Sequence, residues 1–179
     1  MNNELFNNLL PIKTERLTIR KISKEDVEFL LKTDKQETTQ LYIGGIKNKS
    51  KEDRELFINN KINKFDSNIS TPLTVCLDDN AIGFIEFMNS DNNIELSYIF
   101  DYDYWNNGYC TEACKELLKV LFNEMNINYV FARTIEGNNS SMKVLEKLGF
   151  NRVDLIDRIY IHTIRQYRNY YKYDLKRND

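Results

Sequence analysis

Apolar and polar residues alternate along Leu17-Thr18-Ile19-Arg20, the period of a half-buried strand, and the period changes just after it. Ser23 offers an N-cap with Asp26 three residues on, and Val27, Leu30 and Leu31 follow at helical spacing. Ser50 opens a second helix in the same way, with Asp53 at the third position and Ile58, Ile62 and Phe65 as an apolar stripe. Residues 74–77, the polar Asp78-Asp79-Asn80 and residues 81–85 read as strand, turn and strand. Ile94, Leu96, Tyr98 and Phe100 alternate with Glu95, Ser97 and Ile99, which predicts another strand. After a polar, aromatic turn, Gly108 begins what reads as the longest helix. Cys110, Ala113, Cys114, Leu117, Leu118, Leu121, Phe122 and Met125 share its apolar face, and Thr111, Glu112, Lys115, Glu116 and Lys119 its polar one. Residues 129–132 form a strand, residues 138–148 a short helix stopped by Gly149, and residues 150–175 two closing strands with a turn near Thr163 to Arg165.

This order predicts one domain over residues 1–179 of α/β class with α+β character. Its sheet is mixed and mostly antiparallel, of roughly six to seven strands with about four helices. The strand–helix–strand unit from Ile94 to Thr134 implies a parallel pair with a right-handed crossover. The stretch from Gly44-Gly45 to Ser50 reads as a surface loop.

Composition narrows the partners. Net charge is −2, so there is no basic footprint for nucleic acid. No stretch reaches the ~20 apolar residues of a membrane span, and Met1-Asn2-Asn3-Glu4 has no basic region followed by an apolar run. Cys76, Cys110 and Cys114 lack a paired framework, which points to a reducing, cytoplasmic setting, and Cys110 and Cys114, four apart on a helix, read as small core residues. The single histidine, His162, leaves too few ligands for a metal centre and reads as structural.

The chemistry concentrates in Trp105-Asn106-Asn107-Gly108-Tyr109-Cys110-Thr111-Glu112-Ala113. A strand end, a short turn and a long helix opening at a glycine present unpaired N–H groups at the positive end of a helix dipole. Such a place binds phosphate without a basic side chain, and many helices that open at glycine bind nothing. Neither the nucleotide-triphosphatase loop nor the three-glycine dinucleotide fingerprint is present.

The run from Tyr104 to Ala113 resembles the coenzyme A pyrophosphate loop of the GNAT superfamily of N-acetyltransferases, in the branch of the ribosomal-protein N-terminal acetyltransferases. Asn138-Asn139-Ser140-Ser141-Met142-Lys143-Val144-Leu145-Glu146-Lys147-Leu148-Gly149-Phe150 resembles a second motif of that branch. Thr14-Glu15-Arg16-Leu17-Thr18-Ile19-Arg20, with Tyr42-Ile43-Gly44-Gly45 beyond the first helix, resembles a third. Asn107 stands where the branch commonly has a basic residue and Asn106 where it has glycine, so the loop is expected to hold pyrophosphate through backbone N–H groups. Leu145 occupies the place where many other GNAT branches have a thiolate-protonating tyrosine.

The resemblance implies an acetyl-CoA-dependent transferase in which an amine attacks the thioester directly within a ternary complex, with no metal. The pantetheine arm is expected between splayed parallel strands, against Tyr98, Ile99 and Phe100. The pyrophosphate falls to Asn106, Asn107, Gly108, Tyr109, Cys110 and Thr111, and Asn138 contacts coenzyme A, caps its helix through Ser141, or does both. Lys143 would meet the 3′-phosphate or simply face solvent. Ser141 is expected at the coenzyme A sulfur. Glu95 is the candidate base or water-holder, and it also reads as a strand carboxylate that is merely solvated or paired with a lysine; Glu86, on the neighbouring strand, is the second candidate. Trp105 is expected to pack the loop, and Tyr167, Tyr170, Tyr171 and Tyr173 to belong to a strand. The acceptor stays open between a protein N-terminus, a polyamine, an amino acid and an aminoglycoside-like antibiotic. The branch is compatible with a homodimer. A coenzyme A-binding sensor without transferase activity is the competing reading.

Overall fold

The computed structural model describes residues 2–41, 49–90, 93–161 and 165–177. The Gly44-Gly45 loop with Tyr42 and Ile43, and His162 with most of its predicted turn, lie outside the described residues. Helix α1 (Asn3–Asn7) leads to β1 (Ile12–Lys13) and β2 (Leu17–Lys21). A 3₁₀ turn (Lys24–Asp26), α2 (Val27–Asp34), α3 (Glu37–Gln40) and α4 (Lys51–Asp66) follow. Next come β3 (Ser70–Leu77), β4 (Asn80–Ser90), β5 (Asn93–Phe100), α5 (Tyr109–Asn123), β6 (Tyr129–Ile135), α6 (Asn139–Lys147), β7 (Asn151–Ile161) and β8 (Gln166–Lys176). One eight-stranded sheet runs β1-β2-β3-β4-β5-β6-β8-β7. Only β5 and β6 pair in parallel; every other neighbouring pair is antiparallel.

The sheet exceeds the expected six to seven strands because β1 is two residues long, too short to leave a period in the sequence. Helices α1 and α3, of five and four residues, escape for the same reason. Helix α4, at 16 residues, outruns α5 by one, so α5 is not the longest helix.

Adjacent residues on β4 and β5 serve opposite faces, as a strand requires. Ile85, Phe87 and Leu96 join the larger core with Ala113, Cys114, Leu117 and Leu121 of α5. Phe84 and Ile99 join the smaller one with Phe29 and Leu30 of α2 and Ile58 of α4. Each fully buried leucine contributes about 1.5–3 kcal/mol, so the α5 stripe anchors that helix against the sheet.

The capping box at α4 forms as read: Ser50 accepts from the Asp53 N–H at 3.1 Å and Asp53 accepts from the Ser50 N–H at 3.1 Å. Asp26 does more than cap. Buried at 2% exposure, it accepts from the Ser23 N–H (2.8 Å), the Thr74 hydroxyl (2.7 Å) and both Arg20 terminal nitrogens (2.6 and 3.0 Å), tying α2 to β2 and β3.

Candidate active site

The parallel ladder between β5 and β6 holds only at Ile94↔Val130 and Glu95↔Phe131. Beyond it β5 runs on to Phe100 beside β4, and β6 to Ile135 beside β8, so the two strands part. The β5 edge from Leu96 to Phe100 therefore faces a gap instead of a partner strand. A cleft of about 1010 Å³ fills that gap. That is the upper end of small-molecule sites, with room for a long co-substrate and a second reactant. Its lining includes Gly108 and the start of α6 as well as Thr39, Arg133, Ile159 and Tyr170.

The loop before α5 is held by its own polar groups. The Trp105 indole N–H donates to the Phe100 carbonyl at 2.8 Å, and the Asn107 amide donates to the Trp105 carbonyl at 3.0 Å. Asn106 takes φ of 63° and Gly108 φ of 81°, a left-handed conformation that glycine adopts without strain. The Glu112 N–H makes the first bond of the helix, to the Gly108 carbonyl at 2.9 Å. The N–H groups of Tyr109, Cys110 and Thr111 precede it and have no acceptor within the helix. A diphosphate fits this end: its oxygens match a row of donors beside a residue with no side chain.

A second set of contacts braces the loop from outside. Glu112 accepts from the Thr14 hydroxyl (2.5 Å), the Arg16 N–H (3.0 Å) and the Arg16 Nε (2.7 Å), and ion-pairs with Arg16 Nη2 at 2.6 Å. Arg16 Nη1 donates to the Asn107 carbonyl at 3.1 Å, and its guanidinium lies 4.5 Å from the Tyr109 ring centroid. Burial alone would raise the Glu112 carboxyl; the hydrogen bonds from Thr14 and Arg16 outweigh it and hold it below the ordinary range. Glu112 is thus no plain member of the solvated face of α5.

Across the cleft, Asn138 caps α6 by accepting from the Ser141 N–H at 3.2 Å. The Tyr98 hydroxyl lies 3.0 Å from Ser141 Oγ and 3.1 Å from the Ser141 carbonyl. Burial pushes the Tyr98 phenol well above its usual value, so it remains a neutral hydroxyl. Burial, with Cys114 as hydrogen-bonding neighbour, likewise pushes Cys110 up and keeps it a thiol. The Thr134 hydroxyl, on a residue 4% exposed that lines the cleft, has no hydrogen-bond partner among the described residues. A buried hydroxyl without a partner is uncommon in a folded chain. Lys143 also lines the cleft.

The carboxylates of the opposite sheet face come with cations attached. Glu95 is 6% exposed and takes a two-pronged contact from Arg133, Nε at 2.7 Å and Nη2 at 2.6 Å. Glu86 accepts from Lys61 and from the Ser70 hydroxyl at 2.7 Å. Asp34 of α2 pairs in the same way with Arg54 of α4.

The acetyltransferase (GNAT) domain family matches residues 16–151. The chain belongs to the GNAT family and is an N-acetyltransferase. The relatives agree. The uncharacterized N-acetyltransferase YnaD of Bacillus subtilis is 30% identical over 144 residues, covering 79% of this chain and 82% of that protein. A GNAT-family acetyltransferase from Bacillus anthracis superposes with a TM-score of 0.78 at 27% identity, covering 92% of this chain and 97% of that one. RimL, the ribosomal L7/L12 α-N-protein acetyltransferase, in complex with coenzyme A, superposes with a TM-score of 0.81 over 93% of this chain and 97% of its own; at 13% identity that likeness speaks for the fold. The GNAT family supports acetyl-CoA as the co-substrate.

Among the residues singled out from the sequence, Tyr98, Ile99, Phe100, Asn106, Gly108, Tyr109, Cys110, Thr111, Asn138, Ser141 and Lys143 line this one cleft. Asn107 supports the loop from behind, and Glu95 lies behind Arg133, which lines the cleft in its place. Sequence reasoning missed Arg16, Glu112, Arg133 and Thr134. Arg16 and Glu112 each stood inside a matched motif, and their joint occurrence was the available signal. Nothing local marks Arg133 or Thr134. Among the described residues no group of side chains could hold a metal ion, and no helix is long and apolar enough to cross a membrane.

Proposed function

We propose that this GNAT enzyme transfers acetyl from acetyl-CoA directly to a primary amine, a protein N-terminal α-amine or a small-molecule amine, within a ternary complex. The observation that carries the reading is that one continuous cleft joins the Gly108 helix start to the Arg133 wall. Donor and acceptor then meet without either leaving. The cysteine in that cleft, Cys110, is kept as a neutral thiol by burial, which argues against a covalent acetyl-enzyme because the thiolate is the nucleophile.

The pantetheine arm lies along the open β5 edge at Tyr98, Ile99 and Phe100 as an added strand would, and a backbone N–H there stabilises the oxygen of the attacked thioester. The diphosphate sits on the N–H groups at Gly108, Tyr109, Cys110 and Thr111, with Asn106 and Asn107 shaping the turn. Lys143 meets the 3′-phosphate, and Asn138 serves chiefly as the α6 cap. The Ser141 hydroxyl, held by Tyr98, donates to the departing sulfur. The Arg133 fork leaves about half the lone-pair sites of Glu95 for an ordered water that takes the amine proton. An α-amine needs little more: near pKa 7.7 it is about one-sixth neutral at pH 7, whereas a lysine side chain is neutral about once in 2,500.

Titration with acetyl-CoA beside a Gly108→Glu variant tests this. A side chain forced into a left-handed site, carrying a negative charge toward a diphosphate, weakens binding about a hundredfold or more. Wild-type binding that the variant loses, followed by thiol release with amines, supports the reading. No binding by the wild type overturns it. Binding without thiol release from any amine of a broad panel makes the protein a coenzyme A sensor.

A further inference from the structure

We infer that Arg16 is a positioning residue for acetyl-CoA, setting the shape of the diphosphate loop from the far side of the chain. The inference rests on the reading of the Gly108 helix start as the diphosphate site.

The loop lacks the features that usually make such a turn self-sufficient. It carries no basic side chain of its own, and it places Asn106, not glycine, at φ of 63°. Asparagine is one of the few non-glycine residues that adopt this region, and its surroundings decide whether the turn keeps that shape. Arg16 adds a hold from outside to the hydrogen bonds of Trp105 and Asn107 within the loop. Its main-chain N–H and Nε secure the two Glu112 oxygens, fixing the first turn of α5, while Nη1 secures the Asn107 carbonyl within the turn. The same guanidinium covers the Tyr109 ring, and its Nη2 lies 3.5 Å from where a Cβ on Gly108 would stand. One rigid fork thus spans Asn107, Gly108, Tyr109 and Glu112, on both sides of the three N–H groups offered to the ligand. Thr14 completes the brace: its hydroxyl donates to Glu112 and accepts from the Leu17 N–H at 3.0 Å, anchoring the assembly to the start of β2.

Glu112 compensates the Arg16 charge, so its contribution is geometric and its signature is selective. A brace on the diphosphate loop changes affinity for ligands that carry a diphosphate and leaves alone those that lack it. Lysine in its place keeps a cation near Glu112 but cannot reach Glu112 and the Asn107 carbonyl with one planar fork.

The experiment compares wild type with Arg16→Ala, Arg16→Lys and Glu112→Gln. Acetyl-CoA is titrated by calorimetry, and acetyl-pantetheine, which has no diphosphate, by NMR shift changes at millimolar concentration; thermal melting checks the fold. The expected result is acetyl-CoA affinity down about tenfold in Arg16→Ala, with acetyl-pantetheine affinity unchanged, since a displaced loop costs on this order when the ligand is held by fixed donors. Arg16→Lys falls between, and Glu112→Gln follows Arg16→Ala. With a reactive amine, KM for acetyl-CoA rises while kcat stays within about twofold. Unchanged acetyl-CoA affinity overturns the inference. So does an equal loss for both probes, which would mark Arg16 as a general stabiliser. If Arg16→Ala fails to melt cooperatively, Arg16→Lys and Glu112→Gln carry the same comparison. A wild type that binds neither probe overturns the functional reading, whereas a wild type that binds acetyl-CoA with variants that match it overturns only the brace.

Discussion

The two ends of the cleft are built by different means. At the coenzyme A end, contiguous stretches do the work: a turn that enters α5 through Gly108, and the cap of α6 at Asn138. What is offered there is a row of backbone N–H groups, presented by local conformation. On the proposed acceptor side, the cleft wall at Arg133 is paired with Glu95, and outside the cleft lining further side chains from distant segments meet in the same way, Glu86 with Lys61 and Asp34 with Arg54. A backbone site can stay constant while side chains vary. A site made of paired side chains changes character with one substitution, which is how one fold serves acceptors of different chemistry.

The sharpest test of that contrast is Glu95→Gln. A group that holds the water taking the amine proton contributes about a hundredfold or more to the rate. The variant is therefore expected to lose kcat by that order while keeping acetyl-CoA affinity, because the donor end is untouched. Arg133→Gln serves as the control, since it breaks the same ion pair and retains the carboxylate. Equal and modest losses of rate in both variants, matched by equal drops in melting temperature, would show the pair to be structural and would leave the acceptor end without an assigned proton path.

A smaller effect is expected across the cleft, where the division is least clean. Tyr98 is a β5 residue predicted to contribute only backbone, yet its hydroxyl reaches Ser141. Tyr98→Phe leaves the strand edge intact and removes what steadies the serine. It is expected to lower kcat about tenfold with acetyl-CoA affinity within about twofold of wild type, the split expected of an interaction used only in the transition state. Ser141→Ala should do the same, and the double variant no more than either alone, because the two hydroxyls act as one unit. A loss of acetyl-CoA affinity in Tyr98→Phe would instead place the pair in binding.

How much could be read in advance follows this division. The strand periods, the α5 stripe and the Gly108 and Gly149 helix boundaries are local, so the sequence carried them and the cleft residues with them. Residues 16 and 112 meet across almost a hundred positions, and no period records such a meeting. Glu112 looked like solvated surface because the polar face of a helix looks the same whether water or an arginine covers it. Glu95 was legible as a strand carboxylate, but its Arg133 partner depends on how far β6 stays with β5. Asp26 looked like a modest cap, and only the fold brings Arg20 and Thr74 onto it.

The smallest effect expected is on acid stability, and it separates two carboxylates. Burial would raise Asp101, but hydrogen bonds from Gln36, Lys32 and the Asp103 N–H hold it below its ordinary value, as Thr14 and Arg16 do for Glu112. A carboxyl depressed in the folded state binds fewer protons there than in the unfolded chain. Its stabilisation is therefore present above the unfolded pKa, ~3.9 for Asp and ~4.3 for Glu, and is lost as pH falls through the folded value. Melting curves of wild type, Glu112→Gln and Asp101→Asn are expected to differ by a constant offset from pH 8 down to about 5, and the offsets to close below about 4 as the carboxyls protonate. The two should part in acetyl-CoA titrations at neutral pH. Glu112 is bound to the loop before α5 through Arg16, whereas Asp101 joins the end of β5 to Lys32 of α2 and to Gln36 just after it. Glu112→Gln is expected to weaken acetyl-CoA and Asp101→Asn to leave it alone. Equal weakening by both would mean that the loop takes its shape from α2 as much as from Arg16, and that the two ends of the cleft share their supports.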